Sequence, residues 1–122
     1  MNNTKLKKQI VLVTGGSHGI GLETAKRFIK AGSKVYFTYL RDKEKYFKSL
    51  NIFKNKNMIP IKCDMRDIKQ INKITKILNK EKKIDILVNN VGDAIKRSSF
   101  QNSDDKLWRE SIDLNLMSAV RT

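Results

Sequence analysis

Gln9-Ile10-Val11-Leu12-Val13-Thr14-Gly15-Gly16-Ser17-His18-Gly19-Ile20-Gly21 decides the fold. Gln9 to Val13 is a short, β-branched apolar run, the pattern of a strand buried on both faces. The glycine-rich stretch after it is turn chemistry, and from Ile20 the apolar period lengthens. Ile20, Ala25, Phe28 and Ile29 fall on one helical face, with Lys26, Arg27 and Lys30 turned away. Gly32 stands where a helix-ending glycine belongs. The stretch is thus strand, tight turn, helix, and its glycines have separable uses. Gly15 permits the sharp exit from the strand, Gly19 lets a backbone approach a pyrophosphate, and Gly21 lets helix and strand pack closely. Amides from Ile20 onward would then face phosphate oxygens, helped by the helix dipole. The same glycines also suit a plain strand-to-helix turn.

Outward from this unit the alternation continues. Lys34 to Leu40 is rich in β-formers and predicts a second strand. Arg41 to Leu50 predicts a short helix with Tyr46, Phe47 and Leu50 inward. Met58 to Cys63 predicts a third strand, which Pro60 assigns to a sheet edge. Asp67 predicts a helix cap before Ile68, Ile71, Ile74, Ile77 and Leu78 at helical spacing. Ile84 to Val88 predicts a fourth strand, closed by Asn89-Asn90-Val91-Gly92. Ser103 or Asp104 then opens a last helix with Leu107, Trp108, Ile112 and Leu116 as its apolar stripe. This β-α-β-α-β-α-β-α order predicts one α/β domain over residues 1–122, a doubly wound parallel sheet with right-handed crossovers. Ligand would bind in the crevice at the strand C-terminal ends.

Composition bounds the function classes. Lys and Arg number 26 against 12 Asp and Glu, a formal charge of +14. Such an excess suits polyanion binding. Here the lysines are scattered and interleave with no aromatic platform, so nucleic acid is not the expected partner. No apolar run has membrane-spanning length and no signal-peptide core precedes the first strand, which predicts a cytoplasmic protein. The single cysteine, Cys63, fits a reducing compartment and reads as a small buried hydrophobe.

Four landmarks, in order, resemble the short-chain dehydrogenase/reductase family, a Rossmann-type fold. Thr14 to Gly21 resembles its Thr-Gly-x-x-x-Gly-x-Gly cofactor turn. Asp64 resembles its adenine-contacting acid, with Met65 beside it. Asn89-Asn90-Val91-Gly92 resembles its Asn-Asn-Ala-Gly segment, with Val91 in the alanine place. Trp108 and Asp113-Leu114-Asn115 resemble the helix whose Asn serves the catalytic tetrad. The likeness implies cofactor binding by Thr14, Gly15, Ser17, His18, Gly19, Ile20, Gly21, Asp64, Met65, Asn90, Val91 and Gly92, and a catalytic role for Asn115. The residues themselves leave alternatives: Asp64 also suits a turn or cap, and Asn115 a local backbone hydrogen bond. The nearest subgroup implied is the 3-oxoacyl-carrier-protein reductase-like members.

Tyr39 stands in the place of the carboxylate that reads a ribose 2′-OH, and Arg41 follows. His18 lies where related NADP enzymes often carry a basic residue, and together these predict NADP, with NAD the alternative. The likeness further implies a catalytic Ser on a fifth strand and a Tyr-x-x-x-Lys on the next helix. Neither precedes Thr122, so the sheet is expected to be truncated after the fourth strand and its helix, and the chain inactive alone. Tyr39 to Lys43 has the Tyr-x-x-x-Lys spacing but follows the second strand, on the adenosine side. Three readings stand: hydride transfer to a small carbonyl or alcohol by descent; a catalytically silent nucleotide-binding module, complemented by a C-terminal half on a second polypeptide; and a basic nucleic-acid-associated protein, with a homo-oligomer also possible. The fourth strand's apolar edge is expected to favour association.

Overall fold

A computed structural model describes residues 4–41, 51 and 54–122. Its elements are β1 (Ile10–Val13), α1 (Gly19–Lys30), β2 (Lys34–Tyr39), β3 (Met58–Lys62), α2 (Ile68–Leu78), β4 (Ile86–Val88) and α3 (Asp105–Ile112). After α3 the helix widens through a π turn (Asp113–Met117) and ends as α4 (Ser118–Arg121). All strand pairs are parallel and the sheet order is β3-β2-β1-β4. Strand order therefore reverses between β1 and β4, and a doubly wound sheet opens its ligand crevice at that point. The expected fold class is the observed one.

Alternating strand residues supply two cores. Val11, Val13, Val35 and Phe37 face Leu22 and Ala25 of α1, and Leu12, Tyr36 and Ile61 face Ile71, Ile74 and Leu78 of α2. Pro60 lies on β3, an outer strand as expected. Gly32, at φ +89, ends α1, and its N–H bonds the Ile29 carbonyl at 2.9 Å.

Several expectations need correction. Ile20 does not join the buried face of α1; it is 81% exposed, because the helix turns Gly21, Leu22 and Ala25 inward instead. β4 begins two residues later than predicted, where the Asp85 carboxylate accepts the Ile10 N–H at 2.8 Å and ties the base of β1. Apart from these corrections, the apolar stripe of the last helix faces outward: Trp108, Ile112 and Leu116 are exposed. Leu87 on β4 is exposed too. The helix predicted over 41–50 lies, beyond Arg41, outside the described residues.

Carboxylates anchor the starts of β1 and β2 and the first turn of α2. The Lys83 ammonium and the Ile10 N–H hold Asp85 below its ordinary 3.8. Lys34, then Tyr36, hold Glu81 below 4.5. The Gln70 amide and the Lys69 N–H do the same for Asp67, which caps α2. Each folded value is depressed, so its stabilisation is present above the unfolded value and lost as pH falls through the folded one. Urea melts should show stability falling below about pH 4.5, and Asp85→Asn should flatten that fall. An unchanged slope in the variant would refute the assignment.

Candidate functional site

After Val13 the chain crosses the sheet end in five residues, and Gly15 (φ +66) and Gly19 (φ +54) take the left-handed backbone. The Thr14 N–H donates to the Val88 carbonyl at 3.0 Å. Thr14 Oγ1 in turn accepts the Asn90 and Val91 amides at 3.0 and 3.1 Å. Asn90 Nδ2 reaches back to the Thr14 and Gly15 carbonyls, 3.0 Å each. The two segments that close β1 and β4 are thereby laced together.

Helix α1 begins on this turn without a cap. His18 is its N-cap residue, and its side chain accepts nothing from the first turn; Nδ1 lies 3.0 Å from Ser17 Oγ. The other two long helices are capped by carboxylates, Asp67 for α2 and Asp104 for α3. First-turn amides lack intrahelical acceptors, so those of α1 are left for an external one. A methyl built on Gly19 meets nothing within 4 Å, whereas one built on Gly21 falls 2.3 Å from the Gly15 carbonyl oxygen. The turn is thus open on its outer side and closed on its inner side.

A cleft of about 610 Å³ lies over these amides. Gly15, Ser17, His18, Gly19, Ile20 and Gly21 form one wall. The end of β2 brings Tyr39 and Arg41, the segment after β3 brings Asp64 and Met65, and that after β4 brings Asn90, Val91 and Gly92. Thr14 stands behind the wall, 2% exposed. Asn115 is not in the wall. Its Oδ1 accepts the Asp93 N–H at 3.0 Å, and its Nδ2 donates to the Asp93 and Ser111 carbonyls at 3.0 and 2.9 Å. The local backbone bond weighed for Asn115 is therefore made, and the same amide fastens the segment after β4 to the helix.

Asp64 makes the turn weighed for it and also stands in the cleft wall. Its carboxylate accepts the Arg66 N–H at 3.0 Å, closing a turn, and it lines the cleft. The Arg66 guanidinium, at 3.0 and 2.8 Å, holds that carboxyl below its ordinary value. Cys63 is buried as expected, and burial pushes its thiol up to about 11, so it is inert. Thr38, Leu40, Cys63, Asp93 and Leu114 also line the cleft. Of these, Thr38 left a signal in the sequence, a polar residue inside an apolar strand. A second groove, of about 390 Å³, runs between α2 and β4 with walls that include Leu12, Ile74 and Leu87, and holds none of the candidate residues.

Comparison with known proteins follows the same outline. A family model described as short chain dehydrogenase matches residues 9–122. A dehydrogenase/reductase SDR family protein 7-like from Dictyostelium discoideum is 32% identical over 123 residues, which cover 93% of this chain and 39% of that one. A probable NADP-dependent dehydrogenase from Haemophilus influenzae is 31% identical, covering 94% and 45%. The ligand-free aldohexose dehydrogenase of Thermoplasma acidophilum superposes with a TM-score of 0.79 at 29% identity, covering 97% of this chain and 42% of that one. The chain thus spans less than half the length of these relatives. Among the described residues no helix is long and apolar enough to cross a membrane.

Proposed function

This chain belongs to the short-chain dehydrogenase family, and we propose that its cleft binds a nicotinamide dinucleotide, NADP in preference to NAD. The observation that carries this reading is the uncapped start of α1 opening onto the cleft. The residues fit such a group. The space over Gly19 admits a diphosphate where any side chain would intrude. The helix dipole and the first-turn amides offset its charge. Asp64 is ionised and able to accept an adenine amine, with Cys63 and Met65 as apolar floor. Asn90, Val91 and Gly92 border the far end, toward a ribose.

Arg41 supports the 2′-phosphate reading. A guanidinium at the end of β2 meets a phosphate in fork geometry, and Tyr39 puts no carboxylate there to repel it. His18 adds a second nitrogen group on the facing wall. A bound cofactor of this kind supplies hydride chemistry for a small carbonyl or alcohol. Asn115 serves as a positioning residue: all its side-chain bonds go to backbone, and they fix the segment that borders the cleft. The only tyrosines are Tyr36, Tyr39 and Tyr46, so no Tyr-x-x-x-Lys follows the fourth strand in these 122 residues. We therefore propose binding without turnover for this chain by itself, in a cytoplasmic setting. The finer subgroup, beside 3-oxoacyl-carrier-protein reductase-like members, rests on the motif wording.

Calorimetric titration of the full chain with NADPH and NADH tests the reading. NADPH should bind about tenfold tighter or more, and Arg41→Ala should erase about a factor of ten of that preference. Binding of neither nucleotide would overturn the cofactor reading. Tighter binding of NADH would overturn the choice of NADP.

A further inference from the structure

We propose that Thr38 is a positioning residue for the diphosphate-binding turn, acting through the Gly15 amide; the proposal rests on the cofactor reading above. Thr38 is the next-to-last residue of β2 and is 1% exposed. Its side-chain oxygen accepts the Gly15 N–H at 2.9 Å, and its carbonyl accepts the Gly16 N–H at 3.0 Å. From the other side, Asn90 Nδ2 donates to the Thr14 and Gly15 carbonyls. Two consecutive peptide groups, 14–15 and 15–16, are therefore each held at both ends. The segment after β4 supplies the donor to their oxygens, and β2 supplies the acceptor for their N–H groups.

The hold is needed because of the residue between those two peptides. Gly15 sits at φ +66, and glycine has no side-chain preference to keep it there. If either peptide rotates, the amides farther along the turn change direction, and those are the groups a diphosphate meets. The choice of residue agrees. Position 38 is buried in an apolar strand between Phe37 and Tyr39, where valine has the same shape and a hydroxyl is costly unless bonded. The oxygen is retained where it meets a turn amide.

The test compares Thr38→Val, which keeps the shape and loses the oxygen, with Thr38→Ser, which keeps the oxygen and loses a methyl. Both full-length variants are titrated with NADPH, NADH and ADP, well below the melting temperature of each unliganded chain, so that all molecules are folded. The valine chain should bind NADPH and ADP about tenfold more weakly, since both carry the diphosphate, and the serine chain within about threefold of the parent. The ratio of NADPH to NADH affinity should stay unchanged, because Arg41 is untouched. Should the valine chain fail to fold, Thr38→Ala against Thr38→Ser carries the same comparison, the two differing by the oxygen alone. A role in packing predicts the reverse order, serine weaker than valine, and that order overturns the proposal. So does a valine chain that binds as tightly as the parent, which leaves the cofactor reading intact. A parent chain that binds none of the three nucleotides overturns the cofactor reading itself.

Discussion

Gly21→Val abolishes nucleotide binding and lowers stability by about 3 kcal/mol, the upper end of what overpacking costs. A Cβ at this position falls 2.3 Å from the Gly15 carbonyl oxygen and 2.4 Å from Asn90 Nδ2. The first neighbour is backbone and the second is already committed to two carbonyls, so neither yields cheaply. Relief requires α1 to lift from β1, and the next residues, Leu22 and Ala25, are part of the core packed on Val13 and Phe37. Gly21 has no positive φ, so close approach alone causes the effect. Gly19→Ala is the informative contrast. Its methyl meets no protein atom, and the φ of +54 costs about 1–2 kcal/mol. That variant should stay folded yet lose nucleotide affinity, because the methyl occupies the cradle. Urea melts and NADPH titrations on both chains check the pair. If Gly21→Val melts with the parent, helix and strand do not approach as described.

How much was legible in the sequence follows from the range of each interaction. β1 and β2 were readable because a strand buried on both faces is apolar throughout, whatever its register. The cap of α2 was readable, and that of α3 narrowed to Ser103 or Asp104, because Asp67 and Asp104 bond amides two or three residues away. The place where strand order reverses, between β1 and β4, was not legible, because right-handed crossovers fix the hand of each connection and not the side on which the next strand is added. Ile20 was misplaced because a helical face read from its first residue depends on where the helix starts, and here Gly21 takes the inward position. The role of Thr38 was hidden, since its partner Gly15 lies 23 residues earlier. Asn115 was noticed as a polar residue among apolar ones, but its hold on Asp93, 22 residues back, needed coordinates. It also sits in a π turn, an extra residue per turn that no apolar period of the sequence announces.

Asn90→Asp is expected to be nearly as damaging, by an amount that shrinks as pH falls. The change is isosteric and alters one property: the group facing the Thr14 and Gly15 carbonyls, 3.0 Å from each, ceases to donate and becomes an anion. Two hydrogen bonds are lost and three oxygens confront one another in a half-buried site, at a cost of about 3 kcal/mol near neutral pH. Asn90→Ala removes the bonds without the charge and should cost about half as much. A carboxyl placed there is favoured in its protonated form, which alone can donate. Its folded pKa is therefore raised above the unfolded value, and the stability it supports is present at low pH and lost as pH rises through the folded pKa. The carboxylates at positions 67, 81 and 85, whose values are depressed, weaken both chains as pH falls and cancel in the comparison. Urea melts at several pH values between 4 and 8, read as the difference between parent and variant, should show the gap narrowing on acidification. A gap of constant size would mean that the Asn90 amide does not face those carbonyls as a donor, and the lacing of β1 to β4 through this side chain would have to be abandoned.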